Sequence, residues 1–141
     1  MILDSLLRLS DSEDISQAAG DKYSTSVLNT STVIGDLGAG EQLYAIFCID
    51  AAVTSGSSTG TVVFAIIDEA DTTLDGSSVV IAQTAPLIVT RLTLGKIIVL
   101  PIPAGLITQQ YIGAKYTIAT DTTTAGTVST WIGVGPQTWN V

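Results

Sequence analysis

Two apolar runs decide the fold of this chain: LYAIFCI at residues 43–49 and VVFAII at residues 62–67. Both are rich in β-branched and aromatic residues and carry almost no polar side chain, which predicts central β-strands. A strand in a two-layer sandwich packs only one face on the opposite sheet. The second face of each run therefore needs another cover, and we expect an N-terminal arm or a neighbouring subunit to provide it.

The rest of the chain continues the same pattern. Short apolar runs alternate with stretches rich in Gly, Asp, Ser and Thr, whereas helical periodicity is scarce. The predicted strands are residues 26–34, 42–51, 61–68, 77–84, 96–102, 109–119 and 126–134. This spacing predicts an all-β fold of about eight strands, either an antiparallel β-sandwich or a jelly roll. Pro101 indicates an edge, a bulge or the end of its strand, because proline cannot donate to a sheet ladder.

The N-terminal segment allows two interpretations. Residues 1–16 form either an arm that docks on a partner or an ordinary first strand, and residues 17–141 form a single β-sandwich domain. Four apolar side chains of this segment would share one face of a helix, and they are candidate interface residues. They are Ile2, Leu3, Leu6 and Leu7.

Charge and composition exclude several partners. The chain has 13 acidic and 5 basic residues and a net charge of -8. So few basic side chains cannot form the patch that binds nucleic acid or an anionic membrane surface, and we expect neither partner. Charged residues make up only 13% of the chain, against roughly 25% in an average soluble domain. Part of the apolar surface is therefore expected in an interface, and we predict a homo-oligomer, a dimer or a trimer.

The sequence contains no clear pattern of catalytic or metal-binding residues. The chain has no histidine, and its single cysteine, Cys48, lies inside an apolar run, which favours a packed thiol. The acidic residues at positions 68–75 could bind Ca²⁺, but their spacing is not that of an EF-hand, and a solvated hairpin loop is the simpler interpretation. Asp121 begins the nearest match to an aspartic protease signature, but threonine replaces the glycine. We expect no enzymatic activity, no catalytic or metal site and no cofactor.

Three aromatic residues are candidate interface anchors: Tyr44, Trp131 and Trp139. The alternative for Trp131 is a place in the core, and the alternative for Trp139 is to fix the C-terminal segment. The first residues lack the basic start and apolar stretch of a signal peptide, and no apolar run reaches membrane-spanning length. These features predict a soluble protein made in the cytoplasm.

Several short elements follow one another in a characteristic order. They are MILD at residues 1–4, LSD at 9–11, IGDLGAGE at 34–41, LYAIFCID at 43–50, TGTV at 59–62, LPIP at 100–103 and YIGAKY at 111–116. In order and spacing they resemble the small capsid cement, or decoration, proteins of tailed bacteriophages related to the Bordetella phage cement protein. The resemblance spans nearly the whole chain, and each element is short.

The resemblance implies a jelly roll whose partner is the major capsid protein of an HK97-like shell. The implied role is structural: the protein binds the outer surface of the virion and clamps neighbouring capsomers after the shell expands. A surface-exposed adhesion or carbohydrate-binding β-sandwich, of the fibre or pilus type, is the alternative, which the Ser- and Thr-rich loops suit.

Overall fold

The computed structural model describes residues 5–31 and 42–133. Ten β-strands and three short 3-10 helices make up this part of the chain. The strands are β1 (Arg8–Asp14), β2 (Gly20–Tyr23), β3 (Leu28–Asn29), β4 (Leu43–Ser55), β5 (Thr61–Glu69), β6 (Val79–Gln83), β7 (Leu87–Ile88), β8 (Ile97–Ile102), β9 (Tyr111–Ala119) and β10 (Thr123–Gly133). The 3-10 helices are Ser5–Leu7, Val89–Arg91 and Ala104–Leu106.

The strands form two antiparallel sheets. The first sheet has the order β1-β10-β4-β8, and the second has the order β2-β9-β5-β6. In the second sheet, β3 lies beside β9 on the same edge as β2, and β7 lies beside β5 on the same edge as β6. When each of these two pairs is counted as one interrupted strand, both sheets have four positions, and their order is that of a jelly roll. The predicted all-β, jelly-roll-like sandwich is confirmed.

An aromatic cluster lies at the centre of the core between the sheets. Phe47, Phe64 and Tyr116 are fully buried, with ring centroids 5.2 to 6.3 Å apart. The Tyr116 hydroxyl is hydrogen-bonded to the hydroxyls of Ser10 and Thr130, each at 2.7 Å. Burial raises the pKa of Tyr116 far above its usual value, so the phenol stays neutral and links β9 to β1 and β10 across the core.

The N-terminal segment contains the first strand of the first sheet. Arg8–Asp14 form β1, which pairs with β10. The register shifts twice along this pair, and Ser12 has a positive φ of 48°, which marks an irregular, bulged edge. Of the two interpretations of residues 1–16, the first strand is the one that the structure shows for residues 8–14. Residues 1–4 lie outside the described residues.

Short and edge strands account for the differences from the predicted elements. Neither β2 nor β7 was predicted, because a short strand at a sheet edge has little hydrophobic alternation. Of the predicted strand at residues 26–34, only β3 is found in the described part, and residues 32–34 lie outside it. Pro101 lies in β8, which is an edge strand as its proline suggested, and the strand continues to Ile102.

The second apolar face of β5 has a cover that was not expected. Ile67 is fully buried on the outer face of the second sheet, opposite Gly113 of β9. The loop at residues 70–78 folds back over this pair, and Leu74 packs so closely on Gly113 that a Cβ there would lie 2.3 Å from Leu74 Cδ1. At Ile67, a loop of the chain itself therefore covers β5, where we expected an arm or a neighbouring subunit.

Candidate functional site

The outer face of the first sheet is largely apolar, and we call it the apolar face. Outward side chains alternate with core side chains along the three strands that form it. These outward residues are Tyr44, Ile46 and Cys48 on β4, Ile97, Val99 and Pro101 on β8, and Trp131 and Gly133 on β10. Ile46 is only 1% exposed at the centre, where Trp131 and Val99 flank it in register. The side chains around it remain half-buried or exposed.

The structure brings two of the predicted interface residues together. Tyr44 and Trp131 lie at diagonal register positions on the apolar face, and both are half-buried. Trp131 is therefore not a core residue, which corrects the alternative that places it there. Leu6 is exposed near the start of the chain, whereas Leu7 packs against the core. The other three candidates lie outside the described residues: Ile2, Leu3 and Trp139.

One end of the apolar face is bordered by a hydrogen-bonded polar group. Ser129 donates its hydroxyl to Asp50 Oδ2 at 2.5 Å, and its Oγ accepts the backbone N–H of Ser12 at 2.8 Å. Cys48 lies opposite Ser129 in register. Burial, followed by the negative charge of Asp50, raises the pKa of the Cys48 thiol, so it stays protonated at neutral pH.

Exposed apolar side chains concentrate on one side of the sandwich, where the edge strands β6 and β8 lie against each other. We call it the open side. In the described part of the chain, seven large apolar residues are exposed, and six of them fall between residues 79 and 106. The six are Val79, Val80, Ile88, Leu94, Ile97 and Leu106. Contiguous exposed apolar side chains are a common feature of interaction sites on proteins. Ile97 belongs to both the open side and the apolar face.

Two unpaired cations lie next to the open side. Arg91 ends a 3-10 helix and Lys96 immediately precedes β8, and neither forms an ion pair with any described residue. The other basic side chains are paired: Arg8 with Asp11 at 2.9 Å, Lys22 with Glu13 at 3.5 Å and Lys115 with Asp21 at 3.7 Å. Among the described residues of this chain, whose net charge is -8, the basic side chains without an ion pair are thus the two that precede β8.

The acidic residues at the end of β5 and in the loop after it accept hydrogen bonds from within that loop. Asp71 accepts the N–H of Thr73 at 2.6 Å, and Asp75 accepts the N–H of Ser77 at 2.7 Å. Glu69 accepts the hydroxyl of Ser78 at 2.8 Å. Across residues 5–31 and 42–133, no three acidic, Cys or His side chains form a group that could hold a metal ion. The arrangement is that of a hydrogen-bonded hairpin loop.

Asp68 is fully buried and fixes the connection from β8 to β9. Its Oδ2 accepts the backbone N–H groups of Thr108 at 2.8 Å and Gln109 at 3.0 Å. Its Oδ1 has no hydrogen-bond partner among the described residues. This carboxylate therefore positions the segment that carries Leu106, at one end of the open side.

Asp121 lies in the turn between β9 and β10. It accepts the hydroxyl and the backbone N–H of Ser57, both at 2.7 Å. These two hydrogen bonds hold the pKa of Asp121 below its usual value. The residue acts here as a link between two turns.

The fold and these surfaces define a class of protein: an all-β jelly roll whose prominent features are an apolar sheet face and an apolar, cationic edge. A family model named Bbp16 matches residues 9–132, so the chain belongs to the Bbp16 family. The name suggests a Bordetella phage protein, and a virion component is consistent with it. A search of curated proteins found no match. No helix in the described residues is long and apolar enough to span a membrane.

The surface residues were the part of the site that sequence reasoning missed. The two valines of β6 and Ile97 were assigned to strands, but nothing in the sequence alone shows which strands become edges. The signal that could have pointed to them is the pair of prolines Pro101 and Pro103, which favours an edge position for the strand before them.

Proposed function

We propose that this protein is a structural component of the virion that binds the outside of an HK97-like phage capsid and cements neighbouring capsomers. Its partner is the major capsid protein, and it performs no catalysis. The observation that carries the proposal is the concentration of exposed apolar side chains on the open side, continuous with the apolar face through Ile97. Membership of the Bbp16 family supports a phage role.

The physical chemistry of such a role fits the surface. A cement protein stabilises a shell by removing apolar area from water at the junctions between capsomers. Each shell repeats the junction many times, so that modest contacts add up by multivalency. Many Thr, Ser and Gly residues in the chain limit the side-chain entropy that is lost on docking. The acidic charge keeps free copies soluble before assembly.

Co-sedimentation with emptied, expanded capsids of the phage that carries this gene tests the proposal. We expect saturable binding with a fixed copy number per capsomer junction, and capsids that resist heat better when the protein is bound. Light scattering of the free protein measures its oligomeric state, which we expect to be a dimer or a trimer.

A matched pair of variants connects binding to the surface. Ile97→Asp introduces a charge on the open side, whereas Thr124→Asp introduces the same charge at an exposed position of β10. We expect the first to abolish capsid binding and the second to leave it unchanged. A folded wild-type protein that ignores capsids would overturn the proposal, and binding to a glycan array would then favour a carbohydrate-binding module.

A further inference from the structure

We propose that β8 accepts an extended segment of its binding partner as an additional strand of the first sheet. The segment is apolar and carries a carboxylate near Lys96. This inference rests on the proposed function, because it takes the major capsid protein as the source of the segment. It goes further in naming the backbone edge, the residues and the chemistry of the contact.

The first argument concerns the edge of β8 that faces away from β4. It pairs with β4 on one side only, and in the described residues no strand pairs with its other side. A natural edge strand of this kind offers a row of unpaired N–H and C=O groups to another chain. Addition of an extended segment to such an edge is a common mode of peptide recognition.

The second argument concerns which backbone groups point outward. Ile49 donates its N–H to the carbonyl of Lys96 at 2.9 Å, and its carbonyl accepts the N–H of Gly95 at 2.8 Å, so the hydrogen-bonded positions of β4 next to this edge include Ile49. The next position along the ladder, Cys48 opposite Ile97, is therefore a non-hydrogen-bonded pair. Hydrogen-bonded and non-hydrogen-bonded pairs alternate along antiparallel strands. The residues of β8 whose backbone groups point away from β4 are therefore Ile97, Val99 and Pro101. Pro101 has no N–H to offer, and its position in the outward set agrees with this assignment.

The third argument is the chemistry around the edge. Ile97 is 50% exposed on the outer face of the first sheet. On β6, Val80 pairs with Ile67 and points to the outer face of the second sheet, whereas the exposed Val79 pairs with Asp68 and points to the face that lies towards the first sheet. Leu94, in the turn just before the strand, is 72% exposed. A segment added here would bury apolar side chains on both of its faces, which requires an apolar segment.

The fourth argument is charge complementarity. Arg91 and Lys96 are the two basic side chains without an ion pair in the described residues. Lys96 directly precedes β8, and Arg91 ends the 3-10 helix that comes before it. An edge lysine discourages pairing with a second apolar strand, because its charge would be desolvated without a partner. A segment that carries a carboxylate at this end would form an ion pair with Lys96. A second copy of β8 would bring only another Lys96 to the same place, so the charge favours a segment with a carboxylate over a second copy.

Hydrogen exchange of the wild-type protein, free and bound to expanded capsids, tests the inference directly. The outward N–H groups of Ile97 and Val99 are expected to exchange fast in the free protein and to become protected on the capsid. Those of Ile98 and Leu100, which face β4, are protected in both states. Slow exchange of the two outward groups in the free protein would overturn the inference, because the edge would already be paired.

Two pairs of variants provide a second measurement. Val99→Pro removes an outward N–H without breaking the ladder to β4, whereas Val99→Thr keeps the N–H and the β-branched shape. We expect the first to weaken capsid binding by about tenfold, the effect of a lost hydrogen bond together with a steric clash, and the second to weaken it less, because it keeps the N–H donor. Lys96→Gln should weaken binding several-fold, and Lys115→Gln, which removes the same charge from the second sheet, should not.

The outcomes separate the two proposals. Capsid binding without protection of Ile97 and Val99, or with equal affinity of the proline and threonine variants, overturns strand addition and leaves the cement role intact. Absence of any capsid binding by the wild-type protein overturns both. If Val99→Pro lowers the melting temperature substantially, the hydrogen exchange of the wild-type protein decides the question.

Discussion

The two long sides of the sandwich differ in the side chains and the regularity of their edge strands. The side formed by β1 and β2 carries the ion pairs Arg8–Asp11 and Lys22–Glu13, and β1 is bulged. The side formed by β6 and β8 carries exposed valine and isoleucine side chains, and Arg91 and Lys96 next to it form no ion pair with a described residue. Charges and bulges protect an edge from pairing with other chains. One side is therefore closed by its own interactions, and the other is the side that we propose for the partner.

The largest expected effect compares one apolar residue from each edge strand of the first sheet. Leu9 of β1 is fully buried, whereas Ile97 of β8 is half-exposed. We expect Leu9→Ala to lower the free energy of unfolding by about 2–5 kcal/mol. Ile97→Ala should lower it by less than about 1 kcal/mol because little area is lost. Urea denaturation of both variants measures the difference, and equal losses would contradict the distinction between the two sides.

The second prediction concerns the buried hydrogen bonds behind the closed side. Thr123 donates its hydroxyl to the carbonyl of Ile15 at 2.5 Å, and its Oγ1 accepts the N–H of Gln17 at 3.0 Å. Thr123→Val leaves both backbone groups unpaired and should cost about 1–3 kcal/mol of stability. Thr124→Val, which loses only an exposed hydrogen bond to Thr54, is the control and should stay near the wild-type melting temperature.

A smaller effect is expected from the lysines. Lys22 is paired with Glu13, which is 8% exposed, so Lys22→Gln leaves a largely buried carboxylate without its cation. We expect a loss of about 0.5–1 kcal/mol, since Lys22 itself is partly exposed and screened by solvent. Lys96→Gln removes an unpaired charge and should leave the stability unchanged. Thermal unfolding at low and high salt would show the difference between the two variants shrinking as salt rises.

The smallest effect is a pH dependence at the end of β1. Hydrogen bonds from the hydroxyl and then the backbone N–H of Ser16 lower the pKa of Asp14 below its ordinary value of 3.8. A carboxyl whose pKa is lower in the folded state stabilises the fold above the unfolded pKa, and this stabilisation is lost as the pH falls through the folded pKa. Carboxyl NMR titration should show Ser16→Ala moving the Asp14 midpoint upward. An unchanged midpoint would contradict the assigned cause.

The sequence predicted the class of fold well because the central strands are strongly patterned. Residues 43–49 and 62–67 lie in β4 and β5, the inner strands of the two sheets, as their doubly apolar pattern indicated. The cover of β5 was predicted incorrectly, because the packing of Leu74 on Gly113 joins two residues that are distant in sequence. The order of strands, and with it the identity of the exposed edges, depends on such long-range contacts and leaves no local pattern.

The candidate site was predicted only in part for the same reason. Tyr44 and Trp131 were selected as aromatic anchors, and the register of β4 and β10 brings them onto one face. The valines of β6 have the same composition as buried strand residues, so nothing local marks them as exposed. The sequence does not show that Arg91 and Lys96 differ from the other basic residues, because two of the other ion pairs join residues that the fold brings together.

The position of Cys48 has a practical consequence. It supplies a single thiol on the apolar face, next to β8 in register and opposite Ser129. Because burial and Asp50 keep the thiol protonated, it reacts slowly near neutral pH and faster in mildly alkaline buffer. The native chain therefore contains its own attachment point for a fluorescent or spin label, which reports docking at this face without any engineered cysteine.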